Sequence, residues 1–312
     1  MEVKIKVNQP LQEIYGEIAD IYEGVNHLLT LGFDRGWRRR AVRCAAVGGG
    51  RLWLDVCSGT GEMAQNLSRL APAGTRLVAL DFSWPMLSHA RTKALGAPTF
   101  FTLGEVAHLP FPDNCLDLIT ISFATRNINL SPEILTATFR EFLRVLKPSG
   151  RFMNLETSQP RNSFVRGLFH LYVALVVRRL GRRLSGSSSG YSYLAASMRD
   201  FYAAWELAAI LRAAGFASVS VKRLLFGAAA IHLALKAGSS SSAGSSRSPS
   251  EGVFRSKFTS GAMTRVLTQA AACRGFQGSM PPWLQGGVSC PAREGGQVGA
   301  PVGGARRSFP PS

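Results

Sequence analysis

A short apolar run ending in a glycine turn constrains this chain more than any other feature: residues 51–61 read RLWLDVCSGTG. Leu52, Trp53, Leu54 and Val56 suit a buried strand, and Ser58-Gly59-Thr60-Gly61 suits a tight turn. Met63, Leu67 and Leu70 then recur at helical spacing. Strand, glycine turn and helix in that order present bare backbone N–H groups to a ligand at a helix N-terminus. Glycine is expected there because a Cβ would hold ligand and backbone apart. Asp55, four residues before Gly59, would direct a carboxylate at whatever binds. Such a charge repels a pyrophosphate and suits a ligand carrying positive charge or hydroxyl and amine donors. The turn therefore points to S-adenosylmethionine rather than to a dinucleotide. The same residues also scan as G-x-G-x-x-A through Gly59, Gly61 and Ala64, the mark of a nicotinamide-dependent oxidoreductase. Asp55 argues against that alternative, as does the lack of a second mononucleotide-binding half after Gly150.

Beyond the turn, strand and helix patterns alternate. Strands are expected at 51–56, 76–81, 99–103, 117–123 and 151–156, with helical patterns at 61–70, 84–95 and 131–146 between them. Helices are also expected at 11–31, 36–47 (strongly basic), 163–181 and 200–214. Two further strands, 217–225 and 228–235, are separated so briefly that they pair as an antiparallel hairpin. The expected fold class is α/β: a doubly wound, mostly parallel seven-stranded sheet with an antiparallel last strand, Rossmann-like in layout.

Composition changes abruptly after Gly238. The last 74 residues hold 14 Ser, 12 Gly and 7 Pro, and show no apolar periodicity. The expected organisation is a domain over 1–238, N-terminal helices included, followed by a disordered tail over 239–312. The formal charge is +17, and the tail's eight basic residues against two acidic leave +11 on the domain. A surplus of that size favours anionic partners. Basic residues are not interleaved with aromatic ones, which weakens a nucleic-acid-binding reading. The five cysteines show no C-x-x-C spacing, so neither a disulfide framework nor a metal site is expected. The N-terminal residues resemble no targeting segment, and the longest apolar stretches, about ten residues each, fall short of the roughly 20 that span a bilayer. A cytoplasmic location is expected.

Other residues sit where an α/β sheet carries ligands. Asp81 closes the second strand about 20 residues after the turn, where a carboxylate accepts hydrogen bonds from ribose hydroxyls. Ser83 is the better-placed helix cap. Glu105 and Val106 follow the third strand, at the expected adenine edge, and Ser122 lies near the ligand end of the fourth.

Read together, LDVCSGTGE, LDFSWPML, LPFPDNCLDLITISFATRNI and RVLKPSGRFMNLETS resemble the ubiquinone/menaquinone biosynthesis C-methyltransferase family, over roughly Gln12 to Lys236. Arg144–Gly150 with Glu156 and Ser158 is close to one family signature, with Ser149 replacing a usual glycine. A second survives as Tyr22-Glu23, Asn26, Leu29 and Trp37. Within it Glu23 stands for Asp, Val25 for Met, Thr30 for Ser and Asp34 for His. Thr125-Arg126-Asn127 resembles the family's Leu-Arg-Asn. The resemblance implies cofactor contacts at Thr60, Asp81, Glu105, Val106 and Ser122, added to Asp55, Ser58, Gly59 and Gly61 of the turn. It implies methyl transfer to a ring carbon of a prenylated quinol, a demethylmenaquinol-type ring with a ubiquinone-pathway ring as alternative. An RNA methyltransferase is the alternative of another kind.

Arg126 is the candidate catalytic residue, by stabilising a developing phenolate or holding a water that takes its proton. Tyr193 joins it as a candidate, with Tyr191 and His170 as further pocket residues. The stretch from Phe164 to Arg183, apolar in the middle and basic at its end, reads as an interfacial element meeting anionic lipid, where a prenyl-tailed quinone dissolves. The expected partners are thus the prenylated quinol and peripheral contact with an anionic membrane, with no nucleic acid. A homodimer is left open.

Overall fold

In the computed structural model the described residues are 19–20, 22–93, 95–177 and 188–238, with the side chains of 188–193 excepted. The segment 239–312, and the part of the expected first helix before Ala19, lie outside them. Seven strands form one sheet: β1 (Leu52–Val56), β2 (Arg76–Asp81), β3 (Thr99–Leu103), β4 (Leu116–Ser122), β5 (Leu146–Thr157), β6 (Ser218–Leu224) and β7 (Ala229–Leu235). Their order is β3-β2-β1-β4-β5-β7-β6. Strands β1 to β5 are parallel, and β7 runs antiparallel to both β5 and β6. The expected fold class is therefore the observed one.

Six strands lie within a residue of their expected bounds. The exception is β5, which begins at Leu146 rather than 151. Its pairing with β4 jumps from Leu116↔Leu146 to Leu118↔Arg151, so Lys147–Gly150 bulges out within the strand. Ser149, at the glycine position of the resemblance, takes a left-handed φ of 63° in that bulge. A serine there pays a steric cost that glycine does not.

The helices are α1 (Tyr22–Leu29), α2 (Phe33–Ala46), α3 (Glu62–Leu70), α4 (Trp84–Arg91), α5 (Thr125–Ile128), α6 (Pro132–Val145), α7 (Ser163–Tyr172), α8 (Ser188–Asp200) and α9 (Ala204–Ala214). Several depart from expectation: α2 begins three residues early, α4 ends at Arg91 rather than 95, and α5 is unexpected. The first helical stretch stops at Leu29, because Leu31 and Gly32 both turn left-handed (φ 52° and 76°) and redirect the chain into α2. The stretch expected at 163–181 is α-helical only to Tyr172 and then widens into a π-helical turn, Val173–Val177. The stretch expected near 200–214 begins only at Ala204, after a break at Phe201–Ala203, and α8 before it, Ser188–Asp200, is not among the expected helices.

Alternation along each strand sends side chains to opposite faces. On one face Trp53, Met153 and Leu77 pack against Ala41, Val42 and Ala45 of α2 and against Met63 and Leu67 of α3. On the other, Phe152 of β5 meets Phe139 and Phe142 of α6 and Phe216, with ring centroids 5.2–5.8 Å away. A smaller cluster joins Val25 and Leu29 of α1 to Val173, Val177 and Ala195. The connections from β1 and β4 leave on opposite sides, which opens a crevice at their C-terminal ends.

Candidate active site

The crevice holds a cavity of ≈ 150 Å³. Its walls come from the ends of four strands: Ser58, Gly59 and Thr60 after β1, Asp81 of β2, Glu105 and Val106 after β3, and Ser122 of β4. Seven residues singled out from the sequence thus surround one space. Gly59 has φ +55°, and a Cβ there would meet no protein atom within 4 Å. The room beside it is room for a ligand.

Two residues of the turn have other roles. Gly61 does not line the cavity; at φ +83° a Cβ would fall 2.6 Å from Cβ of Ala90 in α4. Glycine is required there by helix packing, not by ligand approach. Asp55 also stays out of the cavity. Its Oδ1 accepts from Thr120 Oγ1 at 2.6 Å and its Oδ2 from Ser58 Oγ at 2.8 Å. The carboxylate expected to face the ligand instead ties the turn to β4, because neighbouring hydroxyls reach it first. Burial pushes its pKa up to about 6, against the two hydroxyl bonds and the charge of Arg38, which hold it down.

That shift has a consequence for stability. An acid that holds its proton more tightly when folded favours the folded state below its unfolded pKa, and the benefit is lost as pH rises through about 6. The difference in unfolding free energy between Asp55→Asn and the unaltered protein should therefore grow in the variant's favour by about 2–3 kcal/mol from acid to neutral pH. Urea midpoints at about pH 4 and pH 7 measure it. An unchanging difference would rule out the buried carboxylate as its source.

Asp81 accepts from the backbone N–H of Gly59 at 2.7 Å through Oδ2 and from that of Ser83 at 2.9 Å through Oδ1. Burial raises its pKa, with these two bonds and one from Phe82 opposing. Asp81 thus holds the glycine turn while facing the cavity. Ser83 does stand at the N-cap of α4, but its buried Oγ makes no hydrogen bond, so the expected capping bond is absent.

A second cavity, ≈ 430 Å³ and mostly apolar, lies between α1, α2, α7, α8 and the β6–β7 turn. Arg126 lines it, while Asn127 and Ile128 of the same short helix line the first. Helix α5 is held by Thr125 Oγ1, which donates to Asn154 Oδ1 at 2.5 Å. Nη1 of Arg126 donates to Glu156 Oε1 at 2.6 Å, and both side chains are buried. Arg126 is therefore an internal ion pair rather than a surface one. His170 bonds Gln159 at 2.8 Å and does not line the cavity, contrary to its expected place in the pocket. Tyr191 and Tyr193 fall on α8, but their side chains lie outside the described residues.

Three residues line both cavities: Tyr22, Arg38 and Phe123. Phe123 has φ 55°, a strained conformation for an aromatic residue, at the end of β4. Burial raises the Tyr22 hydroxyl above its ordinary 10. Arg38 belongs to a closed ring of polar contacts. Its Nη1 reaches Asp34 Oδ2 at 2.5 Å and its Nη2 reaches Glu62 Oε2 at 3.2 Å, while His27 bridges the same two carboxylates at 2.7 and 3.1 Å. Glu23, His27 and Glu62 bring ligand atoms within 4.8 Å of one another. Each is already committed, to Lys93, Asp34 and Arg38, and the group reads as an ion-pair network.

The strand order, the glycine turn at its crevice and the acidic end of β2 define a Rossmann-like class I methyltransferase. A solved S-adenosylmethionine-dependent methyltransferase from Thermotoga maritima has the same fold, with a TM-score of 0.51 at 19% identity over 72% of this chain and 99% of that one. The chain belongs to the ubiE/COQ5 methyltransferase family, whose model matches residues 3–236. Among its relatives, a demethylmenaquinone methyltransferase of Thermus thermophilus is 39% identical over 222 residues, 70% of this chain and 98% of the relative. One of Lactiplantibacillus plantarum is 35% identical over 230 residues, 72% and 95% of the two chains.

Proposed function

We propose that this methyltransferase converts demethylmenaquinol to menaquinol by methylating a ring carbon, with S-adenosylmethionine as donor. The observation that carries the reading is the meeting of two unlike cavities at Tyr22, Arg38 and Phe123. One is a polar crevice over a glycine turn; the other is apolar and falls within the range of small-molecule sites. The two relatives above are demethylmenaquinone methyltransferases, which favours the menaquinone ring over the ubiquinone one.

The residues of the crevice fit the cofactor. Gly59 leaves open space beside bare backbone, Asp81 offers a carboxylate to ribose hydroxyls, and Glu105, Val106 and Ser122 close the far side. When bound, S-adenosylmethionine supplies an electrophilic methyl carbon on a sulfonium. The chain then has to align an electron-rich ring carbon with that methyl and keep water away. Phe123 and the apolar cavity walls do the latter. Arg126, fixed by Glu156, sets a guanidinium in the ring's cavity, where it favours the ionised over the neutral ring hydroxyl.

Quinone profiling of cells lacking the gene tests the reading. Demethylated menaquinone should accumulate and disappear when the gene is restored. A normal quinone pool with undermethylated RNA would overturn the assignment.

A prenyl-tailed substrate comes from a bilayer, and the rim of the apolar cavity suits one. Leu31 is 74% exposed and Phe226, at the β6–β7 turn, 85%, with Phe33 and Leu168 half-exposed beside them. Among the described residues no helix is long and apolar enough to cross a membrane. The reading is therefore of peripheral docking, rim against lipid. The basic end expected to assist, Arg178 to Arg183, lies outside the described residues. Leu31→Ser with Phe226→Ser should cut partitioning onto anionic vesicles about ten-fold or more, since each side chain gains about 1.5–3 kcal/mol on full burial. S-adenosylhomocysteine affinity should be unchanged. Equal sedimentation of variant and unaltered protein with vesicles would sink the docking face.

A further inference from the structure

Arg38 is only 6% exposed, yet it lines both cavities. Its two terminal nitrogens are committed to Asp34 and Glu62, and its guanidinium lies 5.0 Å from the ring centroid of Phe123. Its Nε–H is different: it is buried and has no acceptor. A buried donor left unpaired is costly, and few native groups are left so without a reason. Here the contacts to Asp34, Glu62 and Phe123 fix the guanidinium of a side chain that lines both cavities.

We propose that the Nε–H of Arg38 donates to a hydroxyl oxygen of the acceptor ring and binds it more tightly once its proton has passed to water. The inference rests on the quinol reading above. An anionic oxygen of either ligand could satisfy this N–H: the ring oxygen, or the carboxylate of the cofactor's methionine part. Two observations favour the ring. Glu62 faces the cofactor cavity beside Arg38 and repels a second carboxylate there. The apolar cavity, by contrast, offers low dielectric, where a charged hydrogen bond counts most. Other charged or titratable groups where the cavities meet are Asp34, Glu62 and His27 of the polar ring around Arg38, with Tyr22, Arg126 and Asp55.

The test uses the full chain and Arg38→Lys, which keeps a cation beside Asp34 and Glu62 but lacks the Nε–H. Calorimetric titration with S-adenosylhomocysteine should give the same Kd for both. For a short-tailed demethylmenaquinol, kcat/KM should fall about 10- to 100-fold in the variant. The rising limb of its pH profile should move to higher pH, as a merely structural role would not require. In the unaltered protein, a short-tailed naphthol should bind more tightly than its methyl ether. Its absorbance should show the bound hydroxyl ionising at lower pH than in buffer. That comparison decides the matter even if Arg38→Lys does not fold. Weakened S-adenosylhomocysteine binding with intact quinol kinetics would move the contact to the cofactor and overturn the proposal. So would equal binding of naphthol and ether with no shift in ionisation. If the unaltered protein methylates no quinol, the substrate reading fails first and takes this inference with it; normal turnover with an indifferent Arg38 overturns the inference alone.

Discussion

Glu156→Ala should destabilise the protein by about 3–5 kcal/mol, the cost of leaving a buried charge without its partner. Glu156 is 0% exposed at the end of β5. Its Oε1 accepts from Arg126 Nη1 and from the backbone and hydroxyl of Thr157 at 2.6, 2.7 and 2.9 Å. Its Oε2 accepts from the backbone N–H of Arg126 at 3.3 Å. The carboxylate therefore holds both ends of Arg126, chain and guanidinium. Urea midpoints measure the loss, and adding Arg126→Met should recover much of it, because removing both charges leaves neither stranded. A variant as stable as the unaltered protein would mean that the pair carries no weight in the fold. Turnover separates the two roles: the double variant should regain stability while staying slow, since its guanidinium is gone from the cavity wall.

The sheet was legible in the sequence because the parallel strands are buried on both faces and read as short apolar runs between turn residues. The lengths of the helices were not, because their ends depend on single backbone conformations. Nothing in the residue types of Leu31, Phe123 or Ser149 announces a left-handed φ. The glycine turn is legible, but Gly61 and Asp55 both read as ligand-facing, whereas Gly61 faces a helix and Asp55 faces hydroxyls of its own chain. Side-chain competition of that sort depends on Thr120, 65 residues away, and no local pattern contains it.

Arg38 was hidden among Arg35, Arg39, Arg40 and Arg43, all of which are exposed. A signal for it did exist. The buried face of α2 runs Ala45, Val42, Ala41, and stepping back at helical spacing reaches Arg38 and then Asp34. An acid and an arginine four residues apart at the end of an apolar stripe are placed to pair inside the protein. Without the neighbouring positions of Glu62 and His27, the same stripe reads as ending at Ala41.

Asp81→Ala should weaken S-adenosylhomocysteine binding by about 1–3 kcal/mol, roughly the worth of charged hydrogen bonds to ribose hydroxyls. The carboxylate already anchors the turn through Gly59 and the entry to α4 through Ser83. Some of the loss could therefore come from a loosened turn rather than from a missing ligand contact, and a cycle separates the two. An analogue lacking both ribose hydroxyls should bind the unaltered protein more weakly than S-adenosylhomocysteine does. Against Asp81→Ala the two ligands should bind alike. If the variant still discriminates between them, Asp81 does not touch the ribose and acts only through the turn. The pH dependence offers an independent check. Burial raises the pKa of Asp81, so affinity that needs its charge is present above that raised value and lost as pH falls through it. The unaltered protein should therefore lose affinity on acidification earlier than an ordinary carboxylate would dictate, and Asp81→Ala should show no such loss.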